Sequence, residues 1–260
     1  MRFSIGVMKI HISDFFKPIN LTANPSEKEY ATIQPYITAA NIFSQSTYQS
    51  IYIIDYYKKG FAFVSDNPLF LCGNRPSLVQ ALGYQFYLRH VPEEDLELLL
   101  EVNMAGFSFF KDIPVEDRLL YNISYDFHLI QPNKHPILIN HKLTPLLLDK
   151  SSNIWLAFCI VSISSNDKAG NIIIRKIDSD KLFRYDLICK SWNEEANARL
   201  TNIEKEILLL SLQGLTMNDI AKKIHLSQAT IKFHRGNIFD KLKVKNIAEA
   251  IAYATNYKLI

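Results

Sequence analysis

Five basic side chains near the end of the chain, Lys222, Lys223, Lys232, Arg235 and Lys241, suit one kind of chemistry, the neutralisation of a row of phosphates. Residues 199–260 carry ten Lys and Arg against five Asp and Glu, a local +5 in a chain whose total is +3. The first 198 residues therefore sum to −2, so the positive field is confined to the tail. Covalent chemistry has no comparable foothold. His135/His141 and Asp178/Asp180 come nearest to chemical clusters, and both read as loop or exposed-strand residues. No glycine-rich phosphate loop, HExxH or nucleophile motif occurs, so neither an enzyme activity nor a cofactor or metal is expected. Cys72, Cys159 and Cys189 are odd in number and far apart, and read as small buried apolar residues rather than a disulfide framework or zinc site.

The elements that must position the basic residues are legible from their caps. Thr201 with Glu204, Thr216 with Asp219, Ser227, and Asn246 with Glu249 each open a helical pattern, because a side-chain oxygen at the N-cap accepts an amide hydrogen the helix leaves unpaired. Ile203, Ile207, Leu208 and Leu210 stripe the first helix, which Gly214 ends; Ile220, Ala221 and Ile224 stripe the second. Ile231, Ile238 and Leu242 stripe the third, and Ala250, Ile251 and Ala254 the fourth. Each stripe must be buried, so the four pack as a small bundle. Thr216 and Ser227 stand eleven residues apart, which leaves two turns of helix and the turn His225-Leu226-Ser227. That spacing is helix-turn-helix geometry. With Ile231 inward, Ala229, Lys232, Phe233, Gly236, Asn237 and Asp240 point outward on the third helix, with Arg235 and Lys241 on its flanks. Ala229 to Asn237 suit base edges, whereas Thr230, Arg235, Lys241, Lys222 and Lys223 suit phosphates, with Thr216 and Ser227 at the helix starts beside them.

These residues carry a resemblance. Leu200-Thr201, Glu204, Ile207-Leu208, Gly214, Ile220-Ala221, the run Ser227 to His234, Lys241-Leu242 and Glu249-Ala250 resemble the LuxR/GerE family over nearly all of residues 200–260. The resemblance implies a four-helix DNA-binding domain, often dimeric through its last helix, in which side chains at the positions of Lys232, Phe233 and Gly236 approach bases. Two departures stand out: Ile203 replaces a usual arginine, and Gly236 a longer polar residue. The second shifts base reading toward Lys232, Phe233 and Asn237. Ala248, Ala250, Ala252 and Ala254 are small enough to let two fourth helices approach.

Upstream, residues 25–46 read as helical and residues 50–190 as β-rich, with strand patterns at Ile51–Tyr57, Phe61–Val64, Leu119–Ile130, Ile137–Leu148, Trp155–Ile163 and Ile172–Ile177. A helix at Glu93–Met104 interrupts them. The paired strands Ile51–Val64, Gly73 and Gly83 around short helices, and Pro92-Glu93-Glu94-Asp95 before the long helix resemble a PAS-type sensor. Strand following strand is unlike a phosphoacceptor receiver, and Cys72-Gly73-Asn74-Arg75 has the wrong order for a photoactive flavin site. The expected organisation is multidomain: a helical segment 1–49, an α+β PAS-like sensor domain 50–190, a polar linker 191–199, and an all-α four-helix LuxR-type helix-turn-helix domain 200–260. No signal-peptide core or membrane-length apolar run is present, and a cytoplasmic location is expected. The expected partners are double-stranded promoter DNA, a second copy of the chain, and a small-molecule ligand in the N-terminal domain. An N-terminal domain that only dimerises or binds a partner protein is the alternative.

Overall fold

Six consecutive buried residues, Ser50–Asp55, form β1, and both of its faces are covered, which is why the run has no polar alternation. Gly60–Val64 returns antiparallel as β2. The computed structural model describes residues 10–19, 24–177, 179 and 181–260; Asp178 and Asp180 lie outside them. Ahead of β1 come a 3-10 helix at Ile12–Phe16, α1 (Glu27–Ala31) and α2 (Gln34–Gln45). After β2 follow the short helices α3 (Pro68–Leu71), α4 (Pro76–Leu82) and α5 (Gln85–His90), then the long α6 (Glu93–Asp112). The long strands β3 (Tyr121–Ile130), β4 (Pro136–Leu148) and β5 (Ile154–Ile163) come next. β6 (Gly170–Lys176), β7 (Lys181–Asp186) and β8 (Ser191–Ala196) complete an eight-stranded sheet of order β2-β1-β5-β4-β3-β6-β7-β8. The order 2-1-5-4-3, with all helices of the insertion lying between β2 and β3, is the PAS arrangement, and β6–β8 extend it at the β3 edge.

The inner face of the sheet packs on the inserted helices. Tyr52 and Ile54 of β1, Phe127 and Leu129 of β3 and Val161 of β5 meet Phe70, Phe86 and Tyr87 and the α6 stripe Leu99, Val102, Ala105 and Phe110. Asp95, buried in the first turn of α6, accepts hydrogen bonds from the His128 amide and from His128 Nδ1 at 2.8 Å, pinning the helix to β3. On the outer face Ile33 and Ala40 cover Ile51 and Ile53.

Four expectations change. His141 is 1% exposed, not on an open strand face: its Nε2 is joined to the Tyr52 hydroxyl, which meets the Tyr87 hydroxyl at 2.6 Å. Burial pushes the imidazole pKa down to about 3, so the ring is neutral. Cys189 is exposed, unlike Cys72 and Cys159. α6 runs past Met104 to Asp112. Residues 191–196 of the expected linker are β8, held by Trp192, which meets Phe109 edge-on and Tyr185 at a tilt, at ring distances of 5.2 and 4.9 Å. Of the rest of that linker, Ala198 packs into the C-terminal core together with Leu200. The chain divides into two units at Glu195/Ala196. Among the described residues no helix is long and apolar enough to cross a membrane.

Candidate nucleic-acid interface

The C-terminal unit is four helices: α7 (Asn202–Leu212), α8 (Met217–Lys223), α9 (Gln228–Leu242) and α10 (Ile247–Asn256). Thr201, Thr216, Ser227 and Asn246 cap them, each side chain accepting from the amide three residues on. One core holds them together: Ile207, Leu208, Ile220, Ile231, Ile238, Ala250 and Ala254 are wholly buried. Ile203, placed on the α7 stripe by its spacing, is instead 40% exposed.

The turn between α8 and α9 is tight. His225 takes φ +57, a left-handed conformation that costs an L-residue about 1–2 kcal/mol. The Leu226 amide bonds the Ala221 carbonyl at 2.9 Å, and Ser227 starts the next helix. Four residues therefore separate α9 from the end of α8, and Gln228 and Ala229 are exposed at its start.

On α9, Ala229, Lys232 and Phe233 are exposed, the last at 65%, while Thr230, Arg235, Gly236 and Asn237 are half-buried. A Cβ added at Gly236 would meet nothing within 4 Å, so the glycine leaves an open notch beside Lys232 and Phe233. Lys222 and Lys223 are exposed in the last turn of α8, where the helix dipole favours cations. Thr216 and Ser227 are exposed but serve as caps, and the Thr230 hydroxyl sits 2.8 Å from that of Ser227. The Arg235 guanidinium lies 5.9 Å from the Phe239 ring centre.

Lys241 stands apart from this group. Its Nζ reaches both oxygens of Glu204, at 2.8 and 2.7 Å, and that carboxylate is 2% exposed. Burial raises the Glu204 pKa, but the Lys241 ammonium and the Thr201 amide outweigh it, so the carboxyl sits below its ordinary range. Spacing alone marks Glu204 only as a cap. It is a cap, and also the anchor that ties α9 to α7. The fourth-helix alanines divide similarly: Ala250 and Ala254 are consumed by the core, leaving Ala248 exposed and Ala252 half-buried.

A second feature lies in the N-terminal unit. A cavity of about 60 Å³ opens between α6 and the sheet, lined by Tyr56, Val102, Phe107, Tyr125, Leu143 and Ile174 among others. A neighbouring one of about 20 Å³ shares Tyr56, Asn103, Tyr125 and Leu143 with it.

The fold and these sites define a PAS-like domain followed by a helix-turn-helix unit. Residues 198–254 match the family described as bacterial regulatory proteins, LuxR family, so the C-terminal unit carries a LuxR-type helix-turn-helix domain. The chain is similar to the response regulator protein VraR of Staphylococcus saprophyticus, with 30% identity over 106 residues, 39% of this chain and 51% of that protein. It is also similar to the CsgBAC operon transcriptional regulatory protein of Escherichia coli, 38% identical over 65 residues, 25% of this chain and 30% of that one. The chain thus spans about half the length of VraR or less of its other relative. A solved structure of the Vibrio cholerae VqmA dimer, described as a LuxR-type receptor, is 16% identical, covers 87% of this chain and 88% of its own, and has a TM-score of 0.34.

Proposed function

We propose that this chain is a sequence-specific DNA-binding transcriptional regulator, a one-component sensor whose PAS-like domain controls the C-terminal helix-turn-helix. The observation that carries the reading is the α8–turn–α9 unit, whose projecting face offers Lys232, Phe233, Gly236 and Asn237 within a domain of net +5. α9 has fifteen residues, hence about 22 Å, a length that fits along a major groove. Lys222, Lys223, Thr230 and Arg235 then face phosphates, while Ala229, Lys232, Phe233 and Asn237 face base edges. The chain works as a homodimer, because one recognition helix reads too few base pairs to select a promoter. It acts in the cytoplasm and regulates by binding rather than by catalysis. The apolar lining of the cavity under α6 favours a small ligand over a domain that only dimerises, and at about 60 Å³ the cavity must widen to admit one.

Lys222→Ala should weaken binding to every duplex alike and reduce the slope of log K against log salt by about one, since it removes one phosphate contact. Titrations of the full chain on two unrelated duplexes at several salt concentrations measure this. A salt-independent affinity, or no binding to duplex DNA at all, would sink the reading.

A further inference from the structure

Phe233 is a large apolar side chain that the C-terminal core does not use. It is 65% exposed, while Ile231 and Ile238 of the same helix are wholly buried. A step of about 100° per residue puts Phe233 roughly 150° away from those two, so it points away from the core. Ala229, one turn before it, is exposed and too small to shield the ring. Gly236, one turn after it, has no side chain, and a Cβ there would meet nothing within 4 Å. Ala229, Phe233 and Gly236 thus form an apolar strip along the outer face of α9, with Lys232 on one border and Asn237 on the other.

We propose that Phe233 reads thymine, through the C5 methyl group that this base carries into the major groove. The proposal rests on the DNA-reading role of α9 given above and names what that face selects. Charge around the strip favours a polyanion as its occupant. Lys232 precedes the ring, Arg235 follows it by two residues, and the domain as a whole is +5. Phe233 also lies in the first two turns after the Ser227 cap, the end of a recognition helix that approaches base edges. In the major groove every base pair presents nitrogen and oxygen atoms, but the apolar group on offer is the thymine methyl. A phenyl ring set against any other base edge strips water from a polar atom and returns no hydrogen bond. The same ring set against a methyl group removes apolar surface from water on both sides. Phe233 therefore selects thymine by attraction and rejects the other bases by the polar groups it would strand.

Replacing thymine by uracil tests this, because uracil keeps the pairing with adenine and lacks only the methyl group. The full chain first selects its motif from random duplexes, and the motif is then made with uracil at one thymine position at a time. At one position wild type should bind the uracil duplex about 4-fold more weakly per half-site, the factor that a buried methylene-sized group contributes. Phe233→Ala should bind the thymine duplex more weakly than wild type and bind the thymine and uracil duplexes alike. Phe233→Leu, which keeps an apolar tip, should retain part of the preference. Should Phe233→Ala bind too weakly to titrate, selection repeated with Phe233→Asn decides: the position should change from thymine to another base, and a retained thymine overturns the proposal. A motif without thymine, or a wild type indifferent to uracil at every position, overturns the methyl reading and leaves DNA reading by α9 standing. A Phe233→Ala chain that still discriminates at the wild-type position assigns the methyl to another side chain and overturns the role of Phe233. A wild type that enriches no motif overturns both readings.

Discussion

Replacing Lys241 by alanine is expected to destabilise the C-terminal domain by about 2–3 kcal/mol, the largest single effect foreseen for that domain. The change leaves the Glu204 carboxylate, 2% exposed, without the cation that reaches both of its oxygens. Breaking a buried ion pair costs about 3–5 kcal/mol when both partners are dry. Here Lys241 is 36% exposed, so water compensates part of the loss and the lower figure is appropriate. For a domain of this size the shift corresponds to a melting transition lowered by roughly 10–20 °C, measurable by calorimetry. The double replacement Glu204→Gln/Lys241→Met should recover most of it, because it removes the stranded charge and keeps an acceptor for the Thr201 amide. If Lys241 instead served only as a phosphate contact, its alanine variant would melt like wild type and lose one unit of salt slope. The same pair sets a pH dependence. Because the folded Glu204 pKa lies below its ordinary value of 4.5, its contribution is fully present above about pH 4.5 and is lost as pH falls through the lowered value.

Lys232→Ala is expected to weaken binding to the preferred sequence by about 1–3 kcal/mol while leaving random duplex nearly unchanged, apart from one lost charge. The side chain is exposed on the projecting face of α9, beside the Gly236 notch and one residue before the 65%-exposed Phe233. A lysine so placed can donate to the O6 and N7 of guanine. Competition titrations with specific and random duplexes distinguish base reading from phosphate contact. Equal losses on both would move Lys232 into the second group.

The C-terminal domain was largely legible because its determinants are local. Thr201, Thr216, Ser227 and Asn246 each bond a residue three positions away, and the stripes they introduce are buried where helical spacing places them, except that Ile203 is exposed and Ile224 and Ile251 are half-buried. What escaped detection depends on contacts distant in sequence. β7 and β8 have polar compositions, and they are held as strands by Phe183 and Trp192, which meet Phe109 edge-on at 4.9 and 5.2 Å. Gly106 looks like a helix breaker, yet α6 continues through it, and the missing side chain lets the helix lie close to Ile123, where a Cβ would come within 3.2 Å. His141 falls on the inner face of β4 opposite Val161, and nothing near it in sequence announces the Tyr52 hydroxyl that receives it. The Lys241–Glu204 pair spans 37 residues, so helical spacing alone places Lys241 on the flank of α9 as a phosphate contact and gives no sign of its carboxylate partner.

The central claim, that the projecting face of α9 reads DNA sequence, is tested most directly by selection. Full-length chain should enrich a defined motif from a pool of random duplexes. Titration against that motif and a scrambled duplex, at one physiological salt concentration, should then give affinities that differ by about 1,000-fold or more. Comparable affinities for the two, with no motif enriched, would contradict the account.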